Sequence, residues 1–203
     1  MIRVGITGNI GSGKSTVCSI FESLEIPIYY ADREAKNLYT KYPEVKLQVI
    51  NLLGNAAYLD NGLPNIEFIR SEVFNNPQKL ESLNNILHPF VFYDFDLWCK
   101  NIQETQPNLP YIIKEAAILF ESGADKTVQK TILVSAPTHL KIQRAQQRDN
   151  TSEEEVQKRL SKQFSEEDLQ KRVNFIIIND EIKPLIPQVL AIHHQLVQLN
   201  QAH

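Results

Sequence analysis

The segment that decides the fold is Gly-Asn-Ile-Gly-Ser-Gly-Lys-Ser, residues 8–15. It fits the pattern G-x-x-x-x-G-K-[S/T], in which glycines let backbone N–H groups approach phosphate oxygens and the lysine reaches the same phosphates. A β-branched stretch precedes it and an amphipathic stretch follows, so it lies between a strand and a helix. A Gly-rich turn that only packs strand against helix explains the glycines but not Lys14 and Ser15. We therefore predict a nucleoside triphosphate site here.

Outward from this segment, short apolar stretches alternate with segments of helical period, which is typical of an α/β fold with a parallel sheet. The predicted strands are residues 3–7, 26–30, 111–116, 131–135 and 175–178. The second and third are separated by about 80 residues, whereas one crossover needs only about a dozen. We predict a single domain over 1–203 with a three-layer P-loop NTPase fold, a five-stranded parallel sheet and a helical insertion at about 43–108.

Two polar helices are predicted to meet around residues 148–151, and together they form a candidate lid at about 138–165. The second helix follows Ser152, which is predicted to form a capping box with Glu155. Arg144 and Arg148 are four residues apart on the first helix, and Arg159 lies on the second. Arginines at this spacing would clamp phosphates and shield developing charge. The alternative is a solvated helix pair whose arginines bind the acids at 153–155.

Composition and charge exclude several classes of protein. The chain has 203 residues, of which 42% are apolar and 22% charged, with a net charge of -3. A nucleic-acid partner attracted by overall charge is therefore disfavoured, and no apolar stretch approaches the roughly 20 residues of a membrane-spanning helix. No signal-peptide pattern separates Met1 from the Gly-rich segment. We expect a soluble cytoplasmic protein, monomeric by default, in which Cys18 and Cys99 are free thiols.

The residues of the Gly-rich segment have distinct expected roles. Lys14 would reach the β- and γ-phosphates, and the Ser15 hydroxyl would enter the coordination shell of Mg²⁺. Thr16 would add a contact near the α-phosphate. The predicted ATP ligands in this segment are Gly11, Ser12, Gly13, Lys14, Ser15 and Thr16. A GTPase would also need a guanine-reading N-K-x-D, and the chain has none.

Two carboxylates follow predicted strands and are expected at the edge of the sheet that carries the phosphate loop. Asp32 comes directly after the second strand, where it would act as general base or orient an attacking hydroxyl. Alternatively, Asp32 is the N-cap of a helix over residues 33–42. Glu115 ends or nearly ends the third strand and would hold Mg²⁺, and Glu121 is a weaker candidate for the same role.

Taken together, these residues resemble the dephospho-coenzyme A kinases, the family that performs the last step of coenzyme A synthesis. Residues 6–17 are similar to the family's T-G-G-I-G-S-G-K-S-T-V, with Asn9 replacing a Gly. Asp32 falls on the catalytic aspartate of D-A-D-x-x-A-R. Residues 87–89, Leu-His-Pro, match the family's L-H-P. Residues 115–121 are similar to D-x-P-L-L-F-E, with Glu115 in place of Asp.

The resemblance continues through the last third of the chain. Arg144 and Arg148 fall on the lid pattern Q-x-x-R-x-x-x-R-D, with Lys141 in place of the Gln, and Arg159 falls on R-x-x-x-Q. Asn179 matches the Asn that follows the fifth strand in the family and would lie near the adenine of ATP. The resemblance thus covers almost the whole chain.

The resemblance implies that the ribose 3′-hydroxyl of dephospho-CoA attacks the γ-phosphate of MgATP, giving CoA and ADP, with the helical insertion binding the CoA moiety. The implied catalytic residues are Asp32, Lys14 and Arg148. Further implied ligands are Arg144, Arg148 and Asn179 for ATP, Ser15 and Glu115 for Mg²⁺, and Asp32, His88, Glu115 and Arg159 for the acceptor substrate. Alternatives are another small P-loop kinase, such as a nucleoside monophosphate kinase, and a nucleotide-binding module without transfer activity.

Overall fold

The computed structural model describes residues 1–74 and 76–201. Its strands are β1 (Ile2–Thr7), β2 (Ile28–Tyr30), β3 (Tyr111–Glu115), β4 (Lys130–Ser135) and β5 (Phe175–Ile178). In this part of the chain they form a five-stranded sheet in the order β2-β3-β1-β4-β5, with every neighbouring pair parallel. The predicted α/β class and parallel sheet are confirmed.

The helices are α1 (Lys14–Ser23), α2 (Ala31–Lys41), α3 (Pro43–Leu53), α4 (Ile66–Phe74), α5 (Pro77–Thr105), α6 (Thr138–Asp149), α7 (Glu153–Leu160), α8 (Glu166–Gln170) and α9 (Leu185–Gln201). Short 3₁₀ turns cover Asn55–Ala57 and Ala124–Thr127. Within residues 1–74 and 76–201, no helix has the length and apolar character needed to cross a membrane.

Most element bounds differ from the predicted ones by one or two residues, and the second strand shows why. The strand begins at Ile28 rather than at residue 26. The Ile26 N–H donates to the Phe21 carbonyl at 3.2 Å, which closes the end of α1. Pro27 has no N–H to give to a sheet ladder. The paired residues of the strand therefore begin at Ile28, although the Pro27 carbonyl still accepts a hydrogen bond from Ile113 N of β3 at 3.0 Å.

The chain divides into two compact units. The sheet unit comprises Met1–Tyr30 and the chain from Cys99 onward, and the helical unit is Ala31–Trp98. In the sheet unit, apolar residues of the central strands pack against α1 and α9. This core is formed by Val4, Ile6, Val17, Cys18, Phe21, Ile26, Tyr111, Ile113, Ile132, Val134, Ile177, Val189, Ile192 and Leu196. Cys18 and Cys99 are buried free thiols, as predicted.

The helical unit is held together by polar contacts between its helices as well as by its apolar core. Asp94 of α5, only 3% exposed, accepts hydrogen bonds from Lys41 at 2.5 Å and from the Tyr42 hydroxyl at 2.8 Å. The Tyr58 hydroxyl donates to the Tyr39 carbonyl at 2.9 Å, which joins the segment after α3 to α2. Through its contacts with Lys41 and Tyr42, Asp94 connects the end of α2 to the middle of α5.

Candidate active site

The loop between β1 and α1 has a backbone that only glycine adopts without strain at two positions. Gly11 has φ 76° and Gly13 has φ 90°, both in the left-handed region. Both also lack room for a side chain. A Cβ atom on Gly11 would lie 2.0 Å from the Lys141 carbonyl oxygen, and one on Gly13 would lie 2.1 Å from Asn179 Nδ2. This segment, residues 8–15, is called the phosphate loop below.

The Lys14 side chain folds back over the phosphate loop. Its Nζ donates to the Gly8 carbonyl at 2.9 Å and lies 4.0 Å from Glu115 Oε1, and both charged side chains are only 12% exposed. Glu115 is the last residue of β3 and pairs with Ile6 and Tyr30 in the sheet register. An ammonium and a carboxylate therefore meet at the carboxyl edge of the parallel sheet, where α/β proteins bind their ligands.

The first residues of α1 point their polar groups outward. Ser15 and Thr16 are exposed, whereas Ser12 is 1% exposed within the loop. No acidic side chain lies in the first turn of α1, so the positive end of the helix dipole is not neutralised from within the helix. The start of α1 is thus suited to bind an anion.

The segment that follows β5 closes the phosphate loop from the other side. The Asn179 side chain donates from Nδ2 to the Ser12 carbonyl at 2.8 Å, and its backbone N–H donates to the Ser135 carbonyl at 2.8 Å. The Asn179 carbonyl accepts from both terminal nitrogens of Arg144 at 3.2 Å, and Arg144 also binds Glu181 at 2.9 Å. The sheet unit therefore brings together Lys14, Glu115, Asn179 and Arg144 around one loop.

The other two predicted arginines meet at a different point, on the hairpin formed by α6 and α7. Arg148 binds Asp149 through Nε at 2.8 Å and through a terminal nitrogen at 3.0 Å. Arg159 binds the same carboxylate at 2.8 Å. The hydrogen bonds from Arg148 hold the pKa of Asp149 below its usual value. The side chains of Arg148 and Arg159 are 64% and 51% exposed, so both face solvent and share Asp149 as an ion-pair partner.

Asp32 and His88 belong to the helical unit. Because α2 begins at Ala31, Asp32 is the second residue of the helix, and the alternative that it is the N-cap of a helix over 33–42 is wrong. Its side chain is exposed, and a carboxylate in the first turn is favourable for the helix dipole. His88 is half-buried inside α5 and stacks on Phe92, with ring centroids 6.3 Å apart.

One cluster next to the phosphate loop is not predicted from the sequence. The Lys141 ammonium binds Glu166 at 2.7 Å and Asn9 Oδ1 at 3.5 Å, and Ser135 donates to the other oxygen of Glu166. We call these four residues the loop anchor. Lys141 and Glu166 lie on different helices, so no helical or strand spacing connects them in the sequence.

The fold and the site define the class of the protein. The parallel sheet carries a glycine-rich loop between β1 and α1, with a lysine folded over the loop and a carboxylate at the end of β3. These are the features of a P-loop nucleotide-binding protein.

A family model described as dephospho-CoA kinase matches residues 2–184, and the chain belongs to that family. The dephospho-CoA kinase of Bacteroides fragilis is 36% identical over 189 residues, which are 93% of this chain and 90% of the relative. That of Salinibacter ruber is 36% identical over 180 residues, 89% of each chain.

Solved structures have the same fold. TT1252 from Thermus thermophilus has a TM-score of 0.79 and 29% identity, covering 98% of this chain and 97% of its own. The dephospho-CoA kinase of Campylobacter jejuni has a TM-score of 0.71 and 24% identity, covering 98% of both chains. A shikimate kinase from Acinetobacter baumannii, with a TM-score of 0.54 and 12% identity, covers 98% of this chain and 94% of its own, and shares the fold.

Proposed function

We propose that this chain transfers the γ-phosphoryl group of ATP to the ribose 3′-hydroxyl of dephospho-CoA, giving coenzyme A and ADP. Membership of the dephospho-CoA kinase family supports the choice of acceptor. The observation that carries the chemistry is the position of Lys14, whose ammonium lies 2.9 Å from the Gly8 carbonyl and 4.0 Å from Glu115. A lysine held over a phosphate loop is the group that neutralises charge on transferred phosphates.

In this proposal, ATP phosphates bind to residues 11–16 and to the start of α1. The backbone N–H groups of the loop and the helix dipole attract the phosphate oxygens, and Lys14 reaches the β- and γ-phosphates. The 3′-oxygen of the acceptor forms a bond to the γ-phosphorus while the bond from that phosphorus to the β–γ bridging oxygen breaks. Phosphoryl transfer of this kind depends mainly on positioning and on charge neutralisation.

Asp32 is proposed as the group that orients the 3′-hydroxyl and accepts its proton. It lies in the first turn of α2, two residues after the end of β2, and its carboxylate is exposed. A carboxylate in this role must be within hydrogen-bond reach of the hydroxyl during transfer. The helical segment 43–108, including His88, is proposed to bind the CoA moiety.

Mg²⁺ is proposed as the metal that accompanies ATP. The donors available beside Lys14 are the Glu115 carboxylate and the exposed Ser15 hydroxyl, both hard oxygen ligands of the kind that Mg²⁺ prefers. The described residues contain no group of three or more His, Cys, Asp or Glu side chains suited to a metal. A site of one or two protein oxygens completed by phosphates and water fits that finding. When bound, Mg²⁺ neutralises charge on the β- and γ-phosphates.

The α6–α7 hairpin is proposed to act as the lid, within residues 138–165. Arg144, with Asn179, would bind the nucleotide side of the site, and Arg148 and Arg159 would exchange Asp149 for substrate phosphates. Closure of such a hairpin would exclude water, which otherwise competes as acceptor. We also propose that the protein acts in the cytoplasm as a monomer, on small molecules and without a nucleic-acid or membrane partner.

The test is a comparison of acceptors followed by two variants. ADP release is measured with dephospho-CoA and with AMP, GMP and CMP, and the product with dephospho-CoA is identified by mass and by ³¹P NMR as the 3′-phosphate. Equal or faster turnover with a nucleoside monophosphate would favour the other small kinases. MgATP binding without any turnover would favour a non-catalytic module.

The variants separate binding from transfer. Lys14→Ala should lose both MgATP binding and turnover. Asp32→Asn should keep MgATP binding and lower kcat by about 10²–10⁴-fold, the usual contribution of a general base. Asp60→Asn, another exposed aspartate of the helical unit, is the matched control and should behave as the unsubstituted chain. Normal kcat in Asp32→Asn would remove Asp32 from the mechanism.

A further inference from the structure

The loop anchor contains a lysine buried directly beside the phosphate loop. Lys141 is 4% exposed and Asn9 is 5% exposed. The Lys141 ammonium binds Glu166 Oε2 at 2.7 Å, and it also donates to Asn9 Oδ1 at 3.5 Å. The second oxygen of Glu166 accepts a hydrogen bond from Ser135, at the end of β4. A buried charge is tolerated because it is paired and hydrogen-bonded, and removing one partner leaves an uncompensated charge.

Lys141 also touches the phosphate loop through its backbone. The Lys141 carbonyl oxygen packs against Gly11 so closely that a Cβ atom there would lie 2.0 Å away. Asn9, which the Lys141 side chain binds, accepts a hydrogen bond through its own carbonyl from Ser12 N at 3.1 Å. The shape of the loop from residue 9 to residue 12 is thus set on two sides by one residue of α6.

The same part of the loop is tied to the turn between α7 and α8. Asn9 Nδ2 donates to the Phe164 carbonyl at 3.1 Å, and Ile10 N donates to Gln163 Oε1 at 2.9 Å. Gln163 in turn donates to the Ala117 carbonyl at 3.1 Å. The side-chain oxygen of Asn9 thus faces α6, while its side-chain nitrogen faces the turn between α7 and α8. Asn9 therefore links α6 to that turn.

We propose that Lys141 is a positioning residue for nucleotide binding. Its ammonium, neutralised by Glu166, orients the Asn9 amide, and Asn9 holds the loop N–H groups in the geometry that binds phosphates. Lys141 acts through Asn9 and not by contact with ATP, since its side chain is 6% exposed and its charge is already paired. This inference rests on the proposed ATP site at the phosphate loop.

The test is a double-mutant cycle read by the Kd for MgATP, measured by isothermal titration well below the unfolding temperature. Asn9→Ala and Lys141→Met should each weaken binding about tenfold, and the double variant should bind about as weakly as either single one, because contacting residues couple by about 0.5–3 kcal/mol. KM for dephospho-CoA should stay within about twofold, since the acceptor does not depend on this contact. Lys171→Met removes an exposed lysine at the end of α8 and should leave the Kd unchanged.

Each other outcome overturns some part of the reasoning. A Kd that rises about 100-fold in the double variant, the product of two independent effects, would refute coupling through Asn9. Unchanged Kd values with a lowered unfolding temperature would show that the anchor is only structural. If Lys141→Met does not fold, Asn9→Ala and Glu166→Gln replace it, and wild-type binding in both variants would refute the proposal.

Lys14→Ala separates this inference from the function on which it rests. If Lys14→Ala binds MgATP as tightly as the unsubstituted chain, the proposed ATP site itself is wrong. If Lys14→Ala loses binding while Asn9→Ala and Lys141→Met retain it, only the positioning role of Lys141 is wrong.

Discussion

Gly11→Ala probes the closest contact of the phosphate loop. Gly11 has φ 76°, and a Cβ atom added to it would lie 2.0 Å from the oxygen and 2.7 Å from the carbon of the Lys141 carbonyl. Real Cβ atoms essentially never approach another heavy atom closer than 3.0 Å. The neighbouring atom is backbone and is held within α6, so it has no side-chain rotation by which to move away. The loop or α6 must therefore shift by about 1 Å, as overpacked sites do.

The expected cost has two separable parts. The left-handed backbone costs an alanine about 1–2 kcal/mol. The steric overlap costs about 1–3 kcal/mol more, as for other overpacked sites. A shift of about 1 Å in groups that position a substrate lowers catalysis by about 10²-fold. We therefore expect Gly11→Ala to weaken MgATP binding and kcat/KM by one to two orders of magnitude, beyond its effect on the free energy of unfolding.

Gly123→Ala is the matched control. Gly123 has φ 72°, and its added Cβ would meet no atom within 4 Å. It shares the backbone strain of Gly11→Ala but not the overlap, so it should lose about 1–2 kcal/mol of stability and keep normal ATP binding. Urea unfolding and titration with MgATP are measured on both variants. Wild-type kcat/KM in Gly11→Ala, or equal losses of binding in both variants, would refute this account of the loop.

Two further predictions concern charged side chains. Burial lowers the pKa of Lys114 to about 8. Below about pH 8 the lysine is charged in both the folded and the unfolded state, so folding carries the full cost of desolvating that charge. The cost disappears as the pH rises toward 10.5, the pKa of the lysine in the unfolded state. Lys114→Met should therefore raise the free energy of unfolding at pH 7 by about 1–3 kcal/mol and by less at pH 10, measured in urea. No gain at pH 7, or an equal gain at both pH values, would contradict this. Asp149→Asn should change stability by less than about 1 kcal/mol, because both arginines are exposed. It should lower kcat several-fold, because in the proposal the Asp149 carboxylate holds Arg148 and Arg159 together until substrate phosphates replace it. A large loss of stability with normal kcat would show that Asp149 only supports the fold.

The sheet and the phosphate loop are predictable from the sequence because both are recorded in local patterns. Parallel strands are buried on both faces, so they appear in the sequence as short apolar stretches. The residues of the phosphate loop are contiguous, so a single sequence pattern contains all of them. The predicted strand at 175–178 has the observed bounds. The cap of α7 is also local: Ser152 Oγ accepts from Glu155 N at 3.3 Å, although the Glu155 carboxylate turns to Thr151 instead of completing the box.

The contacts that shape the site are not local, and the sequence does not predict them. Asn179 and Ser12 are 167 positions apart but share a hydrogen bond, and Lys141 and Glu166 are 25 apart on separate helices. The spacing of Arg144 and Arg148 correctly indicated that both lie on one helix. Their partners differ, however, because Arg144 donates to the Asn179 carbonyl after β5 and Arg148 donates to Asp149. Which partner each arginine takes depends on the packing of the hairpin, and residue spacing carries no information about it.

The ion pairs of the site explain how a chain with a net charge of -3 is suited to two substrates rich in phosphate. The cations described at the site each face a carboxylate: Lys14 faces Glu115, Lys141 faces Glu166, Arg144 faces Glu181, and Arg148 and Arg159 share Asp149. Under the proposed function, phosphate binding would be largely an exchange of acceptors, in which a phosphate oxygen replaces a carboxylate oxygen. We expect the exchange to be easiest at Lys14, where nitrogen and oxygen are 4.0 Å apart, and hardest at Lys141, whose buried ammonium lies 2.7 Å from Glu166. In the proposed mechanism the same chemical group would serve as ligand at Lys14 and as fixed support at Lys141, and the difference lies in the distance to the paired carboxylate.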